Sequence, residues 1–97
     1  MNLADFQLAQ SQSAPPARLS LSLQALWFDA KGDWNTAHEL AQKADDSAGA
    51  WVHGYLHRKE GDASNARYWY SRAGKPVGSG SLTAEWAEIS AALLAKC

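Results

Sequence analysis

The sequence predicts an all-α protein, built as two stacked helix hairpins with an N-terminal arm and a C-terminal capping helix. Three observations carry this expectation. Apolar residues recur at helical spacing in successive segments. The pairs Gly32-Asp33 and Gly61-Asp62 place a helix stop directly before a helix start. Period-two alternation is absent and β-branched residues are few, so no strand signal competes.

Residues 2–12 read as a weak helix in which Asn2 is the cap and Leu3, Phe6 and Ala9 share a face. Pro15-Pro16 then breaks the chain, because proline donates no backbone hydrogen bond and pushes its predecessor toward extended geometry. Residues 1–17 are therefore an arm or short helix. Residues 18–31 form the first strong helix, with Leu19, Leu23, Leu26 and Ala30 in register and Trp27 and Phe28 nearby. Asp33 caps a second helix reaching about Asp46, with Ala37, Leu40, Ala41 and Ala44 on one side. Ser47 is the expected cap of a third, whose apolar arc is Ala48, Trp51, Val52, Tyr55 and Leu56. Asp62 caps a fourth, carrying Ala63, Ala66, Trp69, Tyr70 and Ala73. Residues 75–81 form a loop rich in glycine, with Pro76. Ser81 or Thr83 then opens a last helix, where Leu82, Trp86, Ile89 and Leu93 make one stripe suited to covering a helical stack. The whole of 1–97 is read as a single domain, with hairpins at 18–46 and 47–74 and a capping helix at 82–97.

The two Gly-Asp pairs lie 29 residues apart. At that offset Ala37 falls on Ala66, Ala44 on Ala73, Leu40 on Trp69 and Ala25 on Gly54. Small residues thus recur where two helices would cross closely, as expected of one hairpin used twice. A hairpin of this kind leaves a face uncovered, so neighbours must stack. The Gly-Asp turn, the small residue before it and the alanines after it resemble tetratricopeptide repeats over about residues 18–74. The period is shorter than the usual ~34 residues, the first unit lacks the closing proline, and only two units are present. The resemblance implies a helical-repeat protein that binds a peptide on its concave side. A narrower resemblance covers Trp51 to Asp62, Asn65 to Tyr70 and Arg72 to Gly74. This run is similar to an uncharacterised group of small bacterial and fungal proteins, and that likeness brings no activity with it.

Composition limits the function classes. Apolar residues make up 46% and there are five tryptophans, whose large areas offset an alanine-rich core. Net charge is −1, so no global basic field attracts nucleic acid or acidic membranes. The lone cysteine, Cys97, permits no internal disulfide, which fits a reducing compartment. The first residues lack a basic region followed by an apolar run, and no stretch is long enough to span a bilayer. A cytoplasmic location is the expectation.

Three constellations are candidates for chemistry. His53, His57 and Glu60 fall within roughly 60° of arc on one helix. Histidines at i and i+4 can hold one metal ion, with a carboxylate one turn on as a third ligand. The competing readings are a structural pair, hydrogen-bonded to Asn65, Tyr70 or a backbone carbonyl, and a polar ligand contact. The structural pair is preferred, because His38 is remote in sequence and Cys97 is terminal. Arg58, Lys59, Arg67 and Arg72 flank Tyr68-Trp69-Tyr70, which suits carboxylate or phosphate. Trp69 and Tyr70 also read as core, with Tyr68 exposed. Trp51, Tyr55, Arg58 and Lys59 would line the concave groove, unless the arm or the last helix fills it.

The expected function is therefore a binding or scaffold module for a peptide or small acidic ligand, through Trp51, Tyr55, His57, Arg58, Glu60, Asn65 and Tyr68. The alternative is a metal-binding or hydrolytic protein centred on His53, His57 and Glu60. A protein or peptide partner is expected, a homo-oligomer is an alternative, and no cofactor, nucleic acid or membrane is expected. No Ser/His/Asp or Cys/His arrangement supports an enzyme.

Overall fold

The computed structural model describes residues 1–96; Cys97, the end of the expected capping helix, lies outside the described residues. The chain is all-α. Its helices are α1 (Leu3–Leu8), α2 (Leu21–Ala30), α3 (Trp34–Lys43), α4 (Ser47–Glu60), α5 (Ala63–Ala73) and α6 (Leu82–Leu94), with a 3₁₀ turn at Ala9–Ser11. No strand occurs among the described residues, and no helix among them is long and apolar enough to cross a membrane.

Local chemistry sets the helix ends. Asn2, Ser20, Asp33, Asp46, Asp62 and Ser81 each accept a hydrogen bond from the amide three residues on. Two boundaries differ from the sequence expectation. Helix α2 starts at Leu21 rather than near 18, because Ser20 is the cap and Arg18 takes a left-handed φ of 69° that no helix accommodates. Asp46 rather than Ser47 caps α4.

The bends at Gly32 and Gly61 are the same structure. Both glycines are left-handed, with φ of 87° and 92°. The next amide, of Asp33 or Asp62, donates 2.9 Å back to the carbonyl of Phe28 or His57. This closes the helix end with a 6→1 bond that needs a residue free of a Cβ penalty. In each case the aspartate then caps the following helix. Gly74 repeats the stop, with the Lys75 amide donating to Tyr70.

Helix α4 lies at the centre, against α2, α3, α5 and α6. Every residue from Gly49 to His57 is buried. The expected small residues stand at the crossings: Ala25, Ala37 and Ala66 are buried. A Cβ on Gly54 would sit 3.1 Å from the backbone nitrogen of Tyr70. The arm is docked. Phe6 stacks on Trp86 at 5.4 Å, Trp27 Nε1 donates to the Ala9 carbonyl, and Lys31 Nζ holds the carbonyls of Gln10 and Gln12. Helix α6 covers the stack with Trp86, Ile89, Leu93 and Leu94 buried, and Trp86 Nε1 donates to the Leu26 carbonyl at 2.9 Å.

Two substitutions test this packing. Trp86→Ala is expected to cost on the order of 3 kcal/mol in urea unfolding, since it removes a buried indole and its hydrogen bond to the Leu26 carbonyl. Ala66→Leu is expected to cost about 1 to 3 kcal/mol, because added bulk forces α4 and α5 apart.

Candidate functional site

The third helix of the sequence reading, α4, delivers His53 and His57 inward one turn apart, with exposures of 3% and 7%. Helix α3 brings His38 to meet them. Nε2 of His38 lies 2.9 Å from Nε2 of His53. One ligand atom from each of His38, His53 and His57 lies within 4.8 Å of the others. The ring centres are 4.6 Å (38–53), 4.8 Å (53–57) and 5.1 Å (38–57) apart. The expectation that His38 is too remote to join the cluster is corrected: the bend between α3 and α4 folds it back across a sequence separation of 15.

Two tryptophans hold the rings in place. Trp34 stacks on His38 at 4.8 Å, and its Nε1 donates to the Leu56 carbonyl, which ties α3 to α4. Trp69 of α5 stacks on His53 at 3.9 Å. Glu60 Oε1 lies 2.5 Å from Nδ1 of His57, so the carboxylate meets the outer edge of that ring. Glu60 is itself 37% exposed by side chain. The Glu60–His57 juxtaposition is thus as the helical spacing predicted.

Burial disfavours the charged form of two of these imidazoles, His38 and His53. It holds His38 below its usual value, helped by the neighbouring His57. It lowers His53 to about 4, with His38 and His57 adding to the effect. The cluster is imperfectly satisfied in its own hydrogen bonds. Only one proton can serve the His38–His53 contact, and Nδ1 of His53 is buried without a partner. Such an atom costs roughly 1 to 3 kcal/mol.

The other candidate residues are placed differently. Trp51 is buried under the Lys75 ammonium, 4.3 Å from its ring. Tyr55 is buried and donates to Asp29 at 2.7 Å. Arg58 is held by Glu85 at 2.7 Å and by the Gly80 carbonyl. Helix α6 therefore occupies the side of α4 that was expected to form an open groove. Asn65 donates to Asp62 and takes no part in the histidine cluster. Tyr68 is 52% exposed, with Arg72 over its ring. Tyr70 is core as expected, while Trp69 is only half-buried.

The sequence reading also missed two buried carboxylates. Asp29 accepts from Tyr55 and from Lys59 Nζ at 2.8 Å, and Glu85 accepts from Tyr70 and Arg58. Burial, then the carboxylate contact, pushes both phenols up, so they remain donors. A cleft of 450 Å³ lies beside the Asp29–Lys59 pair, edged by Gln7, Gln10, Thr83 and Trp86. The signal for His38 was present but faint: it sits one residue past Ala37 and one turn after Trp34, at the edge of the α3 apolar stripe.

No protein-family model, curated protein or solved structure matches the chain.

A pH dependence follows for the metal-free chain. The folded state resists protonating His53, whose ordinary value of 6.5 applies when unfolded. Its contribution is therefore complete above pH 6.5 and lost as pH falls toward 4. The loss is expected to be on the order of 3 kcal/mol in urea midpoints. His53→Leu should flatten the profile between pH 6.5 and 4; an unchanged slope in that variant would remove His53 as its source.

Proposed function

We propose that the chain is a small helical-repeat protein that binds one divalent late transition-metal ion through His38, His53 and His57. The observation that carries this is the convergence of three imidazoles within 4.8 Å. Three imidazoles on one ion, with metal–nitrogen bonds of about 2 Å, would place their ring centres roughly 5 Å apart. The separations of 4.6 to 5.1 Å fit with little movement. The donor set suits zinc, copper or nickel, and it lacks the oxygens that calcium and magnesium require.

Each surrounding group has a defined task. Glu60 takes the Nδ1 proton of His57, which fixes the tautomer and aims the Nε2 lone pair at the ion. Trp34 and Trp69 stack on two of the rings and restrict their rotation. Asp62, which also lies close to His57 and Glu60, is committed to capping α5. A purely structural role accounts poorly for the cluster, since the hydrogen bond between His38 and His53 leaves Nδ1 of His53 buried and unpaired. The matching bends at Gly32 and Gly61 support the repeat reading, and the ion would join the first hairpin to the second.

A second reading keeps a small acidic ligand, in the cleft beside Lys59. Lys59 is 38% exposed by side chain and uses one of its donors on Asp29. Because Asp29 already neutralises that ammonium, the metal reading is preferred. Weakening of any carboxylate binding by Lys59→Ala, read by NMR shifts, would favour the cleft.

Titration calorimetry with zinc tests the proposal. One ion per chain is expected, with a rise in melting temperature as zinc exceeds its dissociation constant. Glu60→Gln should weaken binding roughly 10-fold, in the range for a partner that orients a ligand. His38→Ala should weaken it further. Failure of the wild-type chain to bind zinc, copper or nickel would end the proposal.

A further inference from the structure

The histidine cluster supplies three donors, and the surrounding residues decide whether a fourth can come from the chain. Among the described residues, no other His, Cys, Asp or Glu atom lies within 4.8 Å of all three imidazole donors. Glu60 is the nearest carboxylate in the contact network, but it meets His57 at Nδ1, on the far side of the ring from Nε2. Both Asp62 oxygens accept from Asn65. Trp34 and Trp69 offer rings and a donor N–H, and no lone pair. The Tyr70 hydroxyl is turned to Glu85. The described residues therefore provide a three-coordinate set for an ion that prefers at least four ligands.

The site is also open on one flank. His53 and His57 are buried, but His38 is half-exposed and Glu60 reaches solvent. Charge then selects what approaches. A divalent ion on three neutral imidazoles carries two positive charges. Among the described residues Glu60 is the carboxylate bonded to a ligand histidine, while Glu39 and Asp62 act on His38 and His57 through the field alone. Arg72 lies over the Trp69 ring on the α5 side and adds positive charge nearby. An anion bound directly to the ion would offset its charge at shorter range than any of these carboxylates, and burial strengthens that interaction.

On the reading that the cluster binds a metal, we infer that the ion keeps one exchangeable coordination position and fills it with a small monoanion, such as hydroxide, chloride or a carboxylate. The site is then an open centre of the three-histidine type and not a closed structural one. The same three donors hold the ion throughout, while the fourth ligand enters and leaves from the His38 flank. Glu60 sets the affinity for the anion through His57, because it supplies the compensating charge.

Cobalt(II) is the probe, since it occupies zinc-type sites and its visible absorption reports coordination. Co²⁺ is added to the full-length chain and azide is titrated into the complex. The expected result is a saturable change in the cobalt bands, reversed competitively by chloride or acetate. Glu60→Gln, once loaded, is expected to bind azide several-fold more tightly, because the ion loses its compensating charge. His38→Gln, checked for helicity by circular dichroism, is expected to abolish the cobalt bands. If cobalt binds with tetrahedral bands that azide leaves unchanged, the open position is overturned while the metal reading stands. If azide affinity is the same in wild type and Glu60→Gln, the charge argument is overturned. If neither cobalt nor zinc binds the wild-type chain, the metal reading falls, and the open position with it.

Discussion

A helix of the stack with no solvent face dictates most of what is unusual about this protein. Along α4, the run from Gly49 to His57 is buried on every side. In a chain this short, a helix surrounded by four others must carry whatever polar groups its sequence contains into the interior. Helix α4 contains two histidines and a tyrosine there, followed by Arg58 and Lys59 at its end. Each needs a partner brought to it, because an unpaired buried polar group is expensive. The neighbours bring them: His38 from α3, Asp29 from α2, and Glu85 from α6. The small residues matter for the same reason. Gly54 lets α5 approach closely enough for Trp69 to lie on His53.

The two buried carboxylates follow one pattern. Each comes from a helix flanking α4, and each accepts from a tyrosine hydroxyl and from a cation near the α4 C-terminus. Apolar burial alone would let α2 and α6 slide against α4. Directional bonds to fixed partners remove that freedom, since any slip strands a carboxylate without its donors. Gly78 belongs to this device. A side chain there would press on the Glu85 carboxylate and push it from Tyr70 and Arg58.

How much of this could be read from the chain divides along physical lines. The bends at Gly32 and Gly61, and the caps at Asp33 and Asp62, depend on a few consecutive residues and were legible. So was the His57–Glu60 contact, which helical spacing alone brings together. The burial of α4 was only half legible. Its apolar arc predicts one covered face, and nothing local reveals that α3 and α6 cover the rest. The Arg58–Glu85 bond spans 27 residues and Lys59–Asp29 spans 30, distances over which periodicity carries no information. His38 belongs to the same class. The expected peptide groove was drawn on a surface that α6, a predicted element, comes to occupy.

The internal doubling described for the bends does not extend to the histidines. Carried over by the 29-residue offset, His53, His57 and Glu60 correspond to Gln24, Phe28 and Lys31, and His38 corresponds to Arg67. The halves share a way of turning and nothing of the cluster. One half on its own would hold either a single imidazole or an adjacent pair. The trio forms only where α3 meets α4, so it belongs to the contact between those helices and not to either stretch alone.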